Sequence, residues 1–175
     1  GAPRHRETPE PTFQPHSGGT AAGISPNGKL IVTGSSDQRA KRWNAATGQV
    51  ELQFPAAHSG QINSALFSPV SNQLLVTASN DGTARIWELP SRRVLHVLSH
   101  RTADGAGGPI HQAVFSPDGR RIATACEDGR VRFWETATGR AIDEITLDGP
   151  ALAGADWADG RRIIAGRASG KASGC

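Results

Sequence analysis

The stretch that decides the fold is FSPDGRRIATACEDGRVRFWE, residues 115–135. It begins with the turn SPDG at 116–119, in which proline fixes φ and glycine accepts a positive φ. A short apolar run at 122–124 follows, and DG at 128–129 marks a second turn. A third run ends on Trp134. Short apolar runs bounded by turn residues, with no helical spacing, predict β-strands.

The same pattern recurs twice upstream of this stretch. The tryptophans are 44 and 47 residues apart, as are the turn aspartates, while the Ser-Pro pairs are 43 and 48 apart and the histidines 42 apart. Agreement of four markers on one period indicates internal repeats. The markers are Trp43, Trp87 and Trp134; Asp37, Asp81 and Asp128; the pairs at 25–26, 68–69 and 116–117; and His16, His58 and His100.

Each repeat contains a fourth short run. A turn after the tryptophan leads into residues 50–54, 94–98 and 142–147 in the three units. Four short strands in a unit of this length predict an antiparallel blade of a β-propeller, and hence an all-β fold.

A fourth unit begins at the carboxyl end of the chain. Trp157 stands where Phe115 stands, 42 positions on, and the run at 163–166 repeats a second strand. We therefore expect three complete blades with partial blades at both ends, forming an open arc or a fragment of a larger ring. The expected boundaries are 1–15 for the end of a preceding blade and a proline-rich connector, 16–57, 58–99 and 100–148 for three repeats, and 149–175 for a partial repeat.

These residues resemble the WD-repeat β-propeller family. The likeness lies in the Ser-Pro-Asp-Gly turn, the Asp-Gly turn and the strand-ending tryptophan, which is followed by Asn44, Glu88 or Glu135. Two departures are visible: Asn44 is not acidic, and Ala57 and Ser99 precede the repeat histidine where the family has glycine. The likeness covers nearly the whole chain.

The resemblance implies a structural hydrogen-bond chain within each blade. Its members in this family are a His before the first strand, a Ser or Thr of the second strand, the turn Asp and the Trp. In the second repeat the hydroxyl is that of Thr77 or Ser79. We expect a structural role, because a catalytic triad is needed once and not three times. The positions are His16, Thr33, Asp37 and Trp43; His58, Thr77, Asp81 and Trp87; and His100, Thr124, Asp128 and Trp134.

Composition excludes several other functions. The net charge is only +3, with no run of like charges, which disfavours nucleic-acid binding. No apolar run is long enough to span a membrane. The two cysteines cannot form a disulfide framework, and Cys126 holds the position of Ser35 and Ser79, so we expect a small buried residue there. No cofactor, metal site or catalytic residue is predicted, which indicates a non-enzyme.

The candidate partner-binding face is built by the turns before the third strands and by the links between blades. The residue before each turn Asp varies on a repetitive frame, as separate partner contacts or neutral drift would both produce. The link after the second repeat carries a glycine-rich insertion at 101–108, which is either a functional loop or a tolerated one. The candidate residues are Ser36, Asn80, Glu127, Arg101 and Asp104.

The resemblance implies a scaffold that binds a protein or peptide partner. The richness in Arg, Ala and Gly resembles that of bacterial proteins, and the missing methionine suggests a segment of a longer protein. The alternative is a regulatory or substrate-docking propeller of a multidomain enzyme, such as a protein kinase, whose catalytic site lies outside this chain. We also expect a cytoplasmic location, and self-association through open blade edges.

Overall fold

The protein is described by a computed structural model that covers residues 18–54, 57–103, 105, 107–157, 163–167 and 172–174. His16, Asp104 and the connector at 1–15 lie outside the described residues. All regular structure in the described part of the chain is β-strand. The predicted all-β class is confirmed.

Fifteen strands form four antiparallel sheets, each in chain order. The first sheet contains β1 Gly19–Ile24, β2 Leu30–Ser35, β3 Ala40–Asn44 and β4 Val50–Phe54. The second contains β5 Ile62–Ser68, β6 Ser71–Ser79, β7 Thr83–Glu88 and β8 Arg93–Ser99. The third contains β9 Ile110–Phe115, β10 Arg121–Cys126, β11 Arg130–Glu135 and β12 Ala141–Thr146. The fourth contains β13 Ala151–Trp157, β14 Ile163–Arg167 and β15 Ala172–Gly174.

The sheets stack side by side, with an apolar layer between each neighbouring pair. Phe54 of the first sheet packs in one cluster with Trp87 of the second. Leu98 of the second sheet shares a cluster with Trp134 of the third, and Val131 of the third shares one with Trp157 of the fourth. The core is therefore a series of interfaces between sheets, as expected for propeller blades.

The first strands of neighbouring sheets contact one another, β1 with β5, β5 with β9 and β9 with β13. The ends of these strands line one cavity of about 360 Å³. Its lining includes the equivalent residues Ile24, Phe67, Phe115 and Trp157. Gly23 of β1 allows close approach of β5, because an added Cβ would lie 2.6 Å from the carbonyl oxygen of Ala65.

The fourth strand of each four-stranded sheet carries a β-bulge opposite the tryptophan, with Glu51, Leu95 or Ile142 as the extra residue. The pairing between third and fourth strands shifts register at Trp43, at Trp87 and at Trp134. A bulge bends its strand and re-aims the next side chain. Trp43, Trp87 and Trp134 are 2 %, 5 % and 6 % exposed, so each repeat places a buried tryptophan opposite the same backbone distortion.

The Asp-Gly turns show why glycine recurs there. Gly82 and Gly129 both have φ of 80°, in the left-handed region. In the first sheet the same position holds Gln38, with φ of 70°. Because this region disfavours residues with a Cβ, the first turn adopts the shared shape at a cost in strain.

Candidate protein-interaction face

A buried hydrogen-bond chain supports the turn between β6 and β7. The indole Nε1–H of Trp87 donates to Thr77 Oγ1 at 3.0 Å, and that hydroxyl bonds His58 Nε2 at 2.7 Å. His58 Nδ1 lies 2.9 Å from Asp81 Oδ2. A neutral imidazole with its hydrogen on Nδ1 donates to the carboxylate and accepts from the hydroxyl, so every group is paired. The hydroxyl in this chain is that of Thr77, whereas Ser79 Oγ accepts the backbone N–H of Asp81.

The third sheet contains the equivalent hydrogen-bond network, but without a hydrogen bond between the histidine and the aspartate. Trp134 Nε1–H donates to Thr124 Oγ1 at 2.8 Å, and His100 Nε2 lies 2.6 Å from the same oxygen. His100 Nδ1 is 3.9 Å from the nearer oxygen of Asp128, too far for a hydrogen bond. In the first sheet Trp43 donates to Thr33 at 2.8 Å. Asp37 lies in the exposed turn, where its carboxylate accepts the backbone N–H of Arg39.

Burial and hydrogen bonding shift three pKa values in these networks. Burial raises the pKa of Asp81, but hydrogen bonds from His58 and Thr83 outweigh it and hold that pKa well below its usual range. Burial, aided by the positive charge of Arg132, lowers the pKa of His100 to about 4. Burial raises the pKa of the Cys126 thiol to about 11. His100 is therefore neutral and Cys126 is a thiol at neutral pH.

These networks are poorly suited to catalysis. His58 and Thr77 are 3 % and 0 % exposed, and the Thr77 hydroxyl already accepts the Trp87 indole N–H. A catalytic nucleophile must reach substrate, whereas these groups fix strands and turns. The arrangement instead anchors the turns that lie above it.

The free energy of unfolding at acid pH should depend on the hydrogen bond between Asp81 and His58. A carboxyl whose folded pKa is depressed stabilises the fold above its ordinary value of about 3.8, and this stabilisation is lost as pH falls toward the folded pKa. Asp81→Asn should therefore destabilise the chain at pH 6, and its deficit relative to wild type should shrink by about 1–2 kcal/mol between pH 4 and pH 2, allowing for solvent screening. Urea unfolding at each pH measures this difference. Asp143→Asn, at an exposed position of β12, is the matched control. A deficit for Asp81→Asn that stays constant with pH would contradict the assignment.

The upper face is formed by the turns β2–β3, β6–β7 and β10–β11 and by the links between sheets. Its backbone is nearly identical in the three sheets. The N–H of Ser36 donates to Gly18 O at 3.0 Å, and those of Asn80 and Glu127 donate to link carbonyls at 2.9 Å each. All three side chains are exposed. The variable residues thus project from one repeated frame.

Each variable residue of the second and third sheets faces a second variable residue on the first strand of its own sheet. Asn63 donates to Asn80 Oδ1 at 2.7 Å, and His111 Nε2 lies 3.5 Å from Glu127 Oε2. Asn63 also donates to the carbonyl of Ile110 in the next sheet at 3.0 Å. Sequence analysis missed Asn63 and gave His111 no role. The signal was a polar residue, differing between repeats, at the same position of each first strand.

The described residues of the insertion contact both the β6–β7 turn and the β10–β11 turn. Arg101 is exposed and approaches Gly82, while the N–H of Gly105 donates to Thr102 O at 2.9 Å. Gly108 O accepts from Cys126 Sγ at 3.3 Å, beneath the turn. The structure therefore places Gly108 beside Glu127 and Arg101 beside Gly82 of the β6–β7 turn. Asp104, the remaining candidate, lies outside the described residues.

A further contact on the side of the molecule was not anticipated. His96 Nε2 lies 2.9 Å from the carbonyl oxygen of Ala137, joining β8 to the β11–β12 turn. Arg132 of β11 pairs with Glu144 of β12 at 2.6 Å.

No helix in the described residues is long and apolar enough to cross a membrane.

Sheets in chain order, first strands in contact from sheet to sheet and a tryptophan buried near the end of the third strand of each four-stranded sheet define a β-propeller built from repeats. Comparison with protein families matches the WD domain, G-beta repeat, at residues 7–44, 49–88 and 93–135. The chain belongs to this WD40 family. The second match runs from β4 through β7 and the third from β8 through β11, so a sequence repeat contributes strands to two neighbouring sheets.

Several curated proteins resemble the chain. It is 31 % identical over 118 residues to the guanine nucleotide-binding protein subunit beta of Oryza sativa subsp. japonica, covering 64 % of the chain and 30 % of that protein. It is 29 % identical over 149 residues to periodic tryptophan protein 2 of Arabidopsis thaliana, covering 83 % and 15 %. It is 32 % identical over 143 residues to coronin-7 of Bos taurus, covering 78 % and 14 %. The chain thus spans less than a third of each of these relatives.

Two solved structures share the fold. The computationally designed Ika4 protein matches with a TM-score of 0.79 at 20 % identity, covering 97 % of this chain and 98 % of that one. The computationally designed Ika8 protein matches with a TM-score of 0.78 at 20 % identity, covering 94 % and 48 %. At these identities the likeness concerns the fold.

Proposed function

We propose that this chain is a non-catalytic platform that binds a protein partner on its upper face. The observation that carries the proposal is the repeated backbone of the three turns, from which Ser36, Asn80 and Glu127 project as different exposed side chains. A rigid frame with variable tips lets a binding surface change without refolding the scaffold. Family membership supports this use, and relatives such as the G-protein beta subunit are named as subunits of larger assemblies.

The chemistry of the face favours a polar protein surface. Arg101 and Glu127 supply opposite charges beside the neutral tips of Ser36 and Asn80. Among the described residues, the large apolar side chains in the exposed class lie on fourth strands, such as Val97 and Ile142, at the end of β1 or in the β5–β6 turn, and not in the upper-face turns. Mixed charges of this kind set specificity and orientation in an encounter between two proteins.

Exchange of the two charges should weaken partner binding selectively. Arg101→Glu combined with Glu127→Arg should lower affinity by about tenfold or more, because both partner contacts become like-charged. The matched control exchanges the same charges on outer strands, with Arg93→Glu and Glu51→Arg, and should leave affinity within about twofold.

The partner protein for these affinity measurements is identified by site-specific photo-crosslinking in the native cells. A photoreactive amino acid replaces Asn80 or Glu127 in one set of cells and Glu51 in another, and adducts are identified by mass spectrometry. We expect one protein to be captured from both upper-face positions and not from Glu51. That protein is then purified and its binding measured by calorimetry. Equal capture from Glu51, or equal affinity of the two charge-exchange variants, would contradict the upper-face assignment.

A further inference from the structure

The third sheet differs from the second at one chemically important position of its buried network. Cys126 ends β10 where Ser79 ends β6. Ser79 Oγ accepts the backbone N–H of Asp81, whereas Cys126 Sγ lies 3.3 Å from the Gly108 carbonyl oxygen of the insertion. Cys126 is fully buried, so its sulfur has a fixed environment rather than a solvated one.

The imidazole of His100 presents an unused nitrogen to the same place. Its Nδ1 is buried and has no hydrogen-bond partner among the described residues, whereas Nδ1 of the equivalent His58 is bonded to Asp81. A buried polar atom without a partner is rare in folded proteins and calls for an explanation such as an ion.

The proton positions around Thr124 are consistent with a lone pair on that nitrogen. Thr124 Oγ1 accepts from Trp134 Nε1 and lies 3.4 Å from the carbonyl oxygen of Arg132, toward which its own hydrogen points. His100 Nε2 then donates its hydrogen to the remaining lone pair of Thr124, at 2.6 Å. In this tautomer Nδ1 carries no hydrogen.

We propose that His100 Nδ1, Cys126 Sγ and the carboxylate of Asp128 form a zinc-binding site. The three ligand atoms lie within 4.8 Å of one another. Tetrahedral zinc with bonds of about 2.0–2.3 Å separates its ligand atoms by roughly 3.3–3.8 Å. The set therefore contracts by about 1 Å on binding. Rotation of the Asp128 side chain supplies this movement, because that side chain is 21 % exposed.

Imidazole, thiolate and carboxylate ligands favour Zn²⁺ over Mg²⁺ and Ca²⁺, which prefer oxygen alone. Binding releases the Cys126 thiol proton to solvent, and the thiolate and the Asp128 carboxylate then balance the two charges of the ion. Gly108 O of the insertion lies 3.3 Å from the sulfur. A bound ion would therefore fix the insertion against the β10–β11 turn.

Titration of the metal-free chain with Co²⁺ tests this site directly. Co²⁺ occupies zinc sites, and a cysteine ligand gives a thiolate-to-metal charge-transfer absorption. We expect one equivalent to produce this band and Zn²⁺ to displace it. At free Zn²⁺ about 100-fold above its dissociation constant, the thermal midpoint should rise by roughly 5–10 °C.

Three variants separate the proposed ligands from other groups. Cys126→Ser installs the residue of the second sheet and should abolish the band. Cys175→Ser removes the other cysteine and should preserve it. Asp128→Asn keeps the acceptor for the Arg130 N–H, so it should fold, retain the band and bind at least about tenfold more weakly.

The proposal is overturned if the wild-type chain gives no band. It is also overturned if Cys175→Ser removes the band, or if either Cys126→Ser or Asp128→Asn binds as wild type does. Circular dichroism of each variant verifies its fold. If Cys126→Ser does not fold, unchanged affinity in Asp128→Asn still overturns the site.

Discussion

Replacing Phe54 with alanine is expected to destabilise the fold by about 3–5 kcal/mol, as large aromatic-to-alanine changes in cores do. Phe54 is 1 % exposed and lies at the end of β4, between the first and second sheets. Its ring meets the Trp87 ring edge-on, with centroids 5.2 Å apart. The change leaves a cavity in the interface and removes this aromatic contact. Urea unfolding followed by tryptophan fluorescence measures the loss.

Val50→Ala on the same strand is the control for this substitution. Val50 is 46 % exposed, so its truncation should change stability by no more than about 0.5 kcal/mol. Similar losses from both variants would show that packing between the sheets contributes little, against the layered core described above.

Thr77→Val should destabilise the chain by about 2–6 kcal/mol although the side-chain volume hardly changes. The substitution removes the hydroxyl that accepts from Trp87 Nε1 and bonds His58 Nε2, and both partners stay buried. Each buried polar group left unpaired costs about 1–3 kcal/mol. The free energy of unfolding in urea measures the change. The tryptophan emission of the native state should also shift, because the environment of the Trp87 indole changes.

Thr138→Val makes the same chemical change at the surface. Thr138 Oγ1 donates to Glu135 Oε2 at 2.6 Å in an exposed turn, where water can replace the lost bond. We expect less than about 1 kcal/mol from this variant. Thr77→Ser keeps the hydroxyl and should recover most of the loss. Equal destabilisation by Thr77→Ser and Thr77→Val would assign the effect to packing rather than to hydrogen bonding.

The strand order was predictable because turn chemistry and periodicity are local. The turns at 116–119 and 128–129 fix where strands begin and end, and the spacing of the tryptophans sets the unit length. The bulge of β8 opposite Trp87 was not predictable, since it depends on the register between β7 and β8. Neither were the pairs Asn63–Asn80 and His111–Glu127, because they join residues whose proximity depends on strand register.

The buried networks show a second limit of the sequence. The position of Asp128 in the repeat predicts the same contact to histidine that Asp81 makes. The structure places His100 Nδ1 3.9 Å from that carboxylate, in the repeat whose link carries the insertion. A repeat specifies which residue types recur, whereas the distance between two side chains also depends on the path of the adjoining chain. Cys126 was predicted as a small buried residue, and the burial is found, but the unpaired nitrogen near it could be seen only in three dimensions.

The consecutive strand order of every sheet bears on how the chain is made. Each described strand pairs with the strand that precedes or follows it in the chain, so within the described residues no sheet combines strands from distant parts of the sequence. A nascent chain leaving the ribosome therefore completes the hairpins of one sheet before the next sheet emerges. The apolar side of the newest sheet stays open until its successor arrives. Translation pauses would prolong that interval, and the most recently completed sheet would then be the segment most in need of a chaperone.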